Sequence, residues 1–329
     1  MRMGESGSRG RPRRQRLLVT VALLLSCRAA PARPTCDDTT PPASASAATA
    51  GTPGSQGQAA TTTLVDDASE LTFAIDGKAR RALTKAALRS AIGSEIITVA
   101  DAYYDGRPKT WRALPFRAVL ERGFDGEGRE LDTQHFLLRC IDGYAVPIDG
   151  KRLLEAYVAI ADADVPSWEP VGPKRAHPGP FFVVWKGKEQ QNLEAFPRPY
   201  QLATIELAAF EATFPHVVPV GEAAGSSAWR GFAIFKEQCV RCHAVNHEGG
   251  KVGPELNVPK SIVEYRSDSQ IRTFIRNPRE FRYSVMPTHD HLAEADLDGL
   301  LAYFRAMSLR KHDPLALTEL GAKAPRGGP

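Results

Sequence analysis

The sequence is short of cysteine, methionine and net charge. Its 329 residues include five cysteines and four methionines. Five cysteines in a chain of this length exclude a disulfide-dense scaffold. The formal net charge at pH 7 is only +4, and part of it lies in the N-terminal cluster Arg11, Arg13, Arg14 and Arg16. A mature chain without that cluster is close to neutral, which argues against a nucleic-acid partner.

The N-terminal segment has the pattern of an export signal. The arginine cluster precedes an apolar core at residues 17–26, which is shorter than the roughly 20 residues of a transmembrane helix. Residues 24–27 (Leu-Leu-Ser-Cys) resemble a bacterial lipobox. The resemblance implies that residues 1–27 are a lipoprotein signal and that Cys27 is acylated and tethers the chain to a membrane. Cleavage after residues 30–32 (Ala-Pro-Ala) is the alternative.

Two further segments are expected to be disordered. Residues 28–69 are rich in Ala, Thr, Ser, Gly and Pro, a composition that cannot bury enough apolar surface to fold. We therefore predict a flexible linker between the signal and the first folded domain. Residues 313–329 lose the helical pattern and are predicted to be a frayed tail.

The sequence Cys239-Val240-Arg241-Cys242-His243 is a C-x-x-C-H motif, which is typical of c-type haem attachment. Each thiol can add to one vinyl group of a haem, and the adjacent histidine can then bind the iron. A zinc site would need two more ligands, and no second Cys/His pair stands at zinc spacing. We therefore predict one covalently bound haem c on Cys239 and Cys242, with His243 as an iron ligand.

The surroundings of this motif, residues 225–312, resemble a class I cytochrome c. Helices are predicted from Ser226 or Ser227 to Gln238, from the capping box at residues 267–270 to Asn277, and over residues 292–307. In that family a glycine in the first helix, here Gly231, lets it cross the last helix closely. The resemblance implies an all-α cytochrome c domain.

The same resemblance implies the remaining groups around the haem. The carbonyl of Pro254 is expected to accept a hydrogen bond from the other ring nitrogen of His243, which fixes the tautomer. Met286 is the expected distal iron ligand, and Met/His ligation raises the reduction potential. His289 or His291 is the alternative distal ligand and would give a lower potential. An open distal position is a further alternative.

Residues 70–220 predict a separate α+β domain with a mixed sheet. Strands are predicted at residues 71–75, 95–102, 134–141, 180–185 and 201–210, where apolar, β-branched or aromatic residues are enriched. Residues 114–122 and 152–160 carry helical spacing. The length is typical of a single domain.

Three segments of this region, residues 112–120, 142–148 and 179–185, resemble the oxidoreductase molybdopterin-binding domain of the sulfite oxidase type. The family's metal-binding cysteine is missing, because residues 71–112 contain none and Cys140 lies on the wrong side of the short helix. The family's later arginine is replaced by Phe182 or Val183. We therefore expect a domain without a molybdenum cofactor that binds a partner, and Cys140 as a small buried residue.

These features favour an exported, periplasmic or cell-envelope electron-transfer protein rather than a catalyst. A six-coordinate haem exchanges single electrons with little reorganisation, and the first domain would bind a redox partner protein. One alternative is a molybdenum-dependent oxidase of sulfite-like substrates with the haem as electron exit. Another is a haem-based redox or gas sensor.

Overall fold

The computed structural model describes residues 66–127, 130–172, 174–314 and 316. They form an N-terminal α+β region and a C-terminal, mainly helical region. The predicted signal segment, the linker up to residue 65 and the tail beyond residue 316 lie outside the described residues. None of the described helices is both long and apolar enough to cross a membrane.

The α+β region contains two sheets in its described part. The first has the order β2-β1-β9-β5-β6, and the second has the order β3-β4-β7-β8. The strands are β1 (Glu70–Ile75), β2 (Lys78–Thr84), β3 (Glu95–Ala100), β4 (Pro108–Pro115), β5 (His135–Cys140), β6 (Ala145–Asp149), β7 (Tyr157–Asp162), β8 (Phe182–Val184) and β9 (Leu202–Leu207). The first sheet is mixed, because β1 and β9 are parallel whereas its other neighbouring strands are antiparallel.

Three helices connect these strands: α1 (Lys85–Ile92), α2 (Phe116–Phe124) and α3 (Gly150–Leu153). Helix α1 begins at Thr84, whose side-chain oxygen accepts a hydrogen bond from the Ala87 N–H at 3.1 Å. Helix α2 buries Val119 and Leu120 in a core to which both sheets contribute, for example through Phe73 and Val158. Burial of this apolar face stabilises the region.

The predicted strands at residues 71–75, 95–102, 134–141, 180–185 and 201–210 are present; the first begins one residue earlier, and the other four are shorter than predicted. The predicted helix at residues 114–122 begins two residues later, after β4 ends at Pro115. The predicted helix at residues 152–160 is wrong, since α3 ends at Leu153 and β7 follows. Residues Val158, Ala159 and Ile160 are all buried in β7, so the run is apolar on both faces and fits a central strand.

The end of the predicted linker packs against the α+β region. Asp66 forms an ion pair with buried Lys85 at 2.5 Å. Asp67 accepts two hydrogen bonds from the guanidinium of Arg89, at 2.7 and 2.9 Å. These contacts fix residues 66 and 67 on helix α1.

The C-terminal region is helical apart from a two-residue ladder between β10 (Ala244–Val245) and β11 (Glu248–Gly249). Its helices are α5 (Ser227–Ile234), α6 (Ile262–Tyr265), α7 (Asp268–Arg276) and α8 (Glu294–Ser308), and α4 (Phe210–Thr213) precedes them. Helix α5 begins at Ser226 and continues as a π-helical turn, Phe235–Cys239. The capping box of Ser267 and Gln270 begins α7 as predicted.

Helices α5 and α8 cross at a pair of glycines. A Cβ atom on Gly231 would lie 2.0 Å from the carbonyl oxygen of Gly299. Only a residue without a side chain allows this approach. Buried residues of α8, including Leu297, Leu300 and Tyr303, complete the packing. The predicted reason for Gly231 is therefore confirmed.

Candidate functional site

Residues 239–243 form a tight turn directly after the π-helical turn. The backbone N–H groups of Cys242 and His243 both donate to the carbonyl oxygen of Cys239, at 3.1 and 2.9 Å. Both cysteines are half-buried and free of disulfide bonds. Burial is the main reason why the thiol pKa rises to about 12 for Cys239 and to about 11 for Cys242. The free thiols are thus neutral at physiological pH.

The imidazole of His243 is fixed on two sides. Its Nδ1 lies 2.8 Å from the carbonyl oxygen of Pro254. Because a carbonyl only accepts, Nδ1 carries the hydrogen and Nε2 keeps its lone pair. On the other side, a Cβ on Gly253 would lie 2.5 Å from the ring carbon Cε1 of His243. Burial lowers the pKa of His243, which favours the neutral imidazole that binds metals.

These groups fit a covalent haem. The two thiols and a neutral histidine with a free Nε2 lie within one turn of the chain, and Gly253 leaves the ring the space that a side chain would fill. The Pro254 carbonyl is the type of partner that orients a metal-binding histidine. This donor set matches a haem c site.

The expected distal residues lie in the loop between α7 and α8. Met286 is half-buried, and its N–H donates to Ser284 Oγ at 3.1 Å. His289 is 7% exposed, and its pKa falls to about 4 through burial and, to a lesser extent, through the charges of His291 and His243. His291 is exposed. The structure therefore brings His289 into the electrostatic range of His243.

The turn between β5 and β6 in the α+β region contacts the haem-binding motif directly. The N–H of Ala145 donates to the carbonyl oxygen of Arg241 at 3.0 Å, and the N–H of Lys251 donates to the carbonyl oxygen of Gly143 at 2.9 Å. Gly143 has a φ of +89°, and a Cβ there would lie 2.9 Å from the Cβ of Lys251. Only glycine fits this position without strain.

The side chain of Arg241 makes a second connection between the two regions. Its guanidinium donates to the backbone carbonyl oxygens of Leu193 at 3.2 Å and Glu194 at 2.6 Å. The sequence marked residues 142–148 only through a family resemblance. It predicted neither the contact of this turn with the motif nor the hydrogen bonds of Arg241. No local pattern marks them, because the partners lie far apart in the chain.

Tyrosines of the α+β region lie near the motif. Burial raises the pKa of Tyr103, Tyr144 and Tyr200, and in each case the negative charge of a Cys242 thiolate contributes as well. Cys140, at the end of β5, is 7% exposed as expected for a small buried residue, and burial raises its pKa. These three tyrosines therefore lie within electrostatic range of Cys242.

Two comparisons with known proteins found matches to this chain. The family model described as cytochrome c matches residues 228–308. Cytochrome c oxidase subunit 2 of Alkalihalophilus pseudofirmus (strain ATCC BAA-2126 / JCM 17055 / OF4) is 31% identical over 88 residues, which are 24% of this chain and 25% of that protein. The chain thus spans about a quarter of the relative's length. Neither match is to a molybdopterin-binding protein, so the resemblance of residues 70–220 to that family is not supported.

Proposed function

We propose that the chain, which has a C-terminal cytochrome c domain, is an exported protein that transfers single electrons through one covalent haem c. The α+β region is proposed to be the part that binds a redox partner protein. The observation that carries the proposal is the arrangement of Cys239, Cys242 and His243, with the His243 ring held between Gly253 and the Pro254 carbonyl.

A bound haem would supply one-electron oxidation and reduction at its iron. Cys239 and Cys242 would hold it covalently, and Nε2 of His243 would bind the iron. The carbonyl of Pro254 keeps the hydrogen on Nδ1, so the histidine is oriented before the iron is bound. This orientation lowers the reorganisation that accompanies a change of oxidation state.

The α+β region supports this role through its contacts with the motif. Two backbone hydrogen bonds hold the β5–β6 turn against the residues around Cys242. A partner bound to the α+β region would therefore be held at a fixed position relative to the haem-binding turn. A relative that is named as a subunit of a cytochrome c oxidase is consistent with a role in electron transfer.

Met286 is proposed as the distal ligand, and substitution tests it. A thioether bound to ferric haem gives a charge-transfer band in the far red, which we expect in the oxidised protein and expect to disappear in Met286→Ala. Met307→Leu is the matched control, because Met307 is buried in the helical core and should leave the band unchanged. A Met286→Ala protein with an unaltered spectrum would assign the distal position to His289 or His291.

The same purified protein tests the overall function. We expect one iron and no molybdenum per chain, and slow or undetectable binding of carbon monoxide to the reduced protein. Stoichiometric molybdenum would instead support an oxidase, and rapid carbon monoxide binding would support a gas sensor.

Loss of membrane association in Cys27→Ser, but not in Cys36→Ser, tests the proposed lipid anchor.

A further inference from the structure

Three potential metal ligands meet where the α+β region contacts the cytochrome c domain. Glu194 belongs to the α+β region, and His289 and His291 belong to the loop before α8. One ligand atom from each residue lies within 4.8 Å of the others. With Met286 as the proposed distal ligand, none of the three is assigned to the haem.

His289 is the least easily explained of these residues. It is 7% exposed, yet its Nδ1 makes no hydrogen bond with the described residues. An unpaired buried ring nitrogen is costly. The Nδ1 lies 3.9 Å from Glu194 Oε1, which is too far for a hydrogen bond and leaves room for a bridging atom.

The distances are close to those of a metal site. Nε2 of His291 lies 3.2 Å from the same oxygen, Glu194 Oε1. Two ligands bound tetrahedrally to zinc at about 2.0–2.1 Å are about 3.3 Å apart. The separations from Glu194 Oε1, 3.2 Å to His291 and 3.9 Å to His289, are close to this value, and the ligand atoms of the three residues all lie within 4.8 Å of one another.

The chain holds these ligands in place independently of any metal. The N–H of Glu194 donates to Asn192 Oδ1 at 2.8 Å, and its carbonyl oxygen accepts from Arg241. The N–H of His289 donates to the carbonyl oxygen of Ile275 at 3.2 Å. Nε2 of His291 also lies 3.2 Å from Gln238 Oε1, which offers a further oxygen donor. The positive charge of Arg241 opposes cation binding, and the neighbouring Asp290 carboxylate favours it.

We propose that Glu194, His289 and His291 bind a divalent transition metal ion that bridges the α+β region and the cytochrome c domain. Two imidazoles and one carboxylate are ligands that zinc and copper accept readily. The bound ion would satisfy the unpaired Nδ1 of His289 and connect the loop before α8 to the α+β region. The site rests on the proposal that Met286, and not His289 or His291, is the distal ligand of the haem iron.

Zinc binding to the haem-containing protein tests the site. After treatment with a chelator, the protein is titrated with Zn²⁺ by calorimetry, and its thermal unfolding midpoint is measured with and without Zn²⁺. We expect one Zn²⁺ per chain and a raised midpoint. His291→Ala and Glu194→Gln should each weaken binding at least tenfold. The control His247→Ala removes an exposed histidine that pairs with Asp313 elsewhere and should bind like the wild type.

Two results would overturn the proposal. The first is Zn²⁺ binding that is absent, or that is equally strong in wild type, His291→Ala and Glu194→Gln. The second is loss of a haem ligand in the spectrum of His289→Ala, because His289 would then be bound to the haem iron. A far-red band that persists in His289→Ala, together with lost Zn²⁺ binding, would support the proposal.

Discussion

Gly253 determines how His243 is oriented. The ring occupies the space where a Cβ would stand, with 2.5 Å to the nearest ring carbon. A single methyl group there must displace the imidazole or the loop. The backbone carbonyl of Pro254 cannot be removed by substitution. The orientation of the His243 ring is therefore tested by substituting Gly253.

We predict that Gly253→Ala weakens the bond between His243 and iron. The absorption and magnetic resonance spectra of the oxidised protein should change, and the reduction potential should shift. Gly106→Ala is the control for the spectra, because a Cβ at Gly106 meets no atom within 4 Å; its φ of +73° makes the substitution strained but leaves the surroundings of His243 unchanged. Identical spectra for Gly253→Ala and wild type would show that the ring does not need this space.

The carboxylates of the α+β region make its stability dependent on acidity. Hydrogen bonds from Arg89 and from Arg107 lower the pKa of Asp67 and of Glu169, respectively, and a backbone hydrogen bond from Thr110 lowers that of Asp164. Because the native pKa of each group lies below its unfolded value of about 4, the contribution to stability is complete above about pH 5. This contribution to stability is lost as the pH falls through the native pKa values of the carboxylates.

We therefore predict that the free energy of unfolding decreases as the pH falls below about 5. Glu169→Gln should show a weaker dependence, because it removes one of these groups. Glu95→Gln removes an exposed carboxylate and serves as the control for net charge. Denaturant unfolding at several pH values measures the effect, and equal slopes for Glu169→Gln and wild type would contradict it.

At the scale of elements, the crossing of α5 and α8 sets the shape of the cytochrome c domain. The crossing places Tyr303 against Phe232 and Phe235, with ring centroids 5.9 and 5.2 Å apart. The hydroxyl of Tyr303 donates to the carbonyl oxygen of Val217 at 2.8 Å. The contact between two glycine backbones therefore positions an aromatic core.

Gly231→Ala should destabilise the domain by about 3 kcal/mol or more, since the new methyl group overlaps the Gly299 carbonyl and the backbone must move. Gly225→Ala also places alanine on a glycine, at a φ of +77° but in open space, and should cost only about 1–2 kcal/mol. Chemical denaturation followed by the haem absorption measures both. Equal losses in the two variants would mean that the helices can separate without penalty.

The elements that the sequence predicted correctly are those with a clear apolar pattern. Strand β2 was not predicted, because Lys78–Thr84 is charged and mostly exposed at a sheet edge. Strands β4 and β6 and helix α1 were also missed. Strand β7 was predicted as a helix because its apolar run, buried on both faces, also satisfies helical spacing. The position of a strand in its sheet depends on neighbouring strands that are distant in the sequence, and a local pattern does not reveal it.

At the scale of the whole molecule, the two regions share one core. Leu137 and Ala145 of the first sheet pack in the same apolar cluster as Phe232, Phe235 and Leu300 of the cytochrome c domain. The described residues belong to one compact unit. The haem-binding motif could be predicted from five adjacent residues, but its contact with the β5–β6 turn could not, since it depends on how the regions pack.

We predict that the two regions unfold together. Trp111, Trp168 and Trp185 are buried in the α+β region, so their fluorescence reports on it, while the haem absorption reports on the cytochrome c domain. The two signals should give the same denaturation midpoint. Trp229→Phe removes the tryptophan of α5, which keeps the fluorescence specific to the α+β region. Separate midpoints would show that the shared core is too small to couple the regions.

The contact between the β5–β6 turn and the haem-binding motif also constrains the order of maturation. In the folded chain both thiols have a pKa near 11–12 and are partly covered, so they are poor nucleophiles. The α+β region precedes the motif in the chain and, as an N-terminal region, can fold before it. We therefore expect haem attachment to take place before residues 239–243 pack against the folded α+β region.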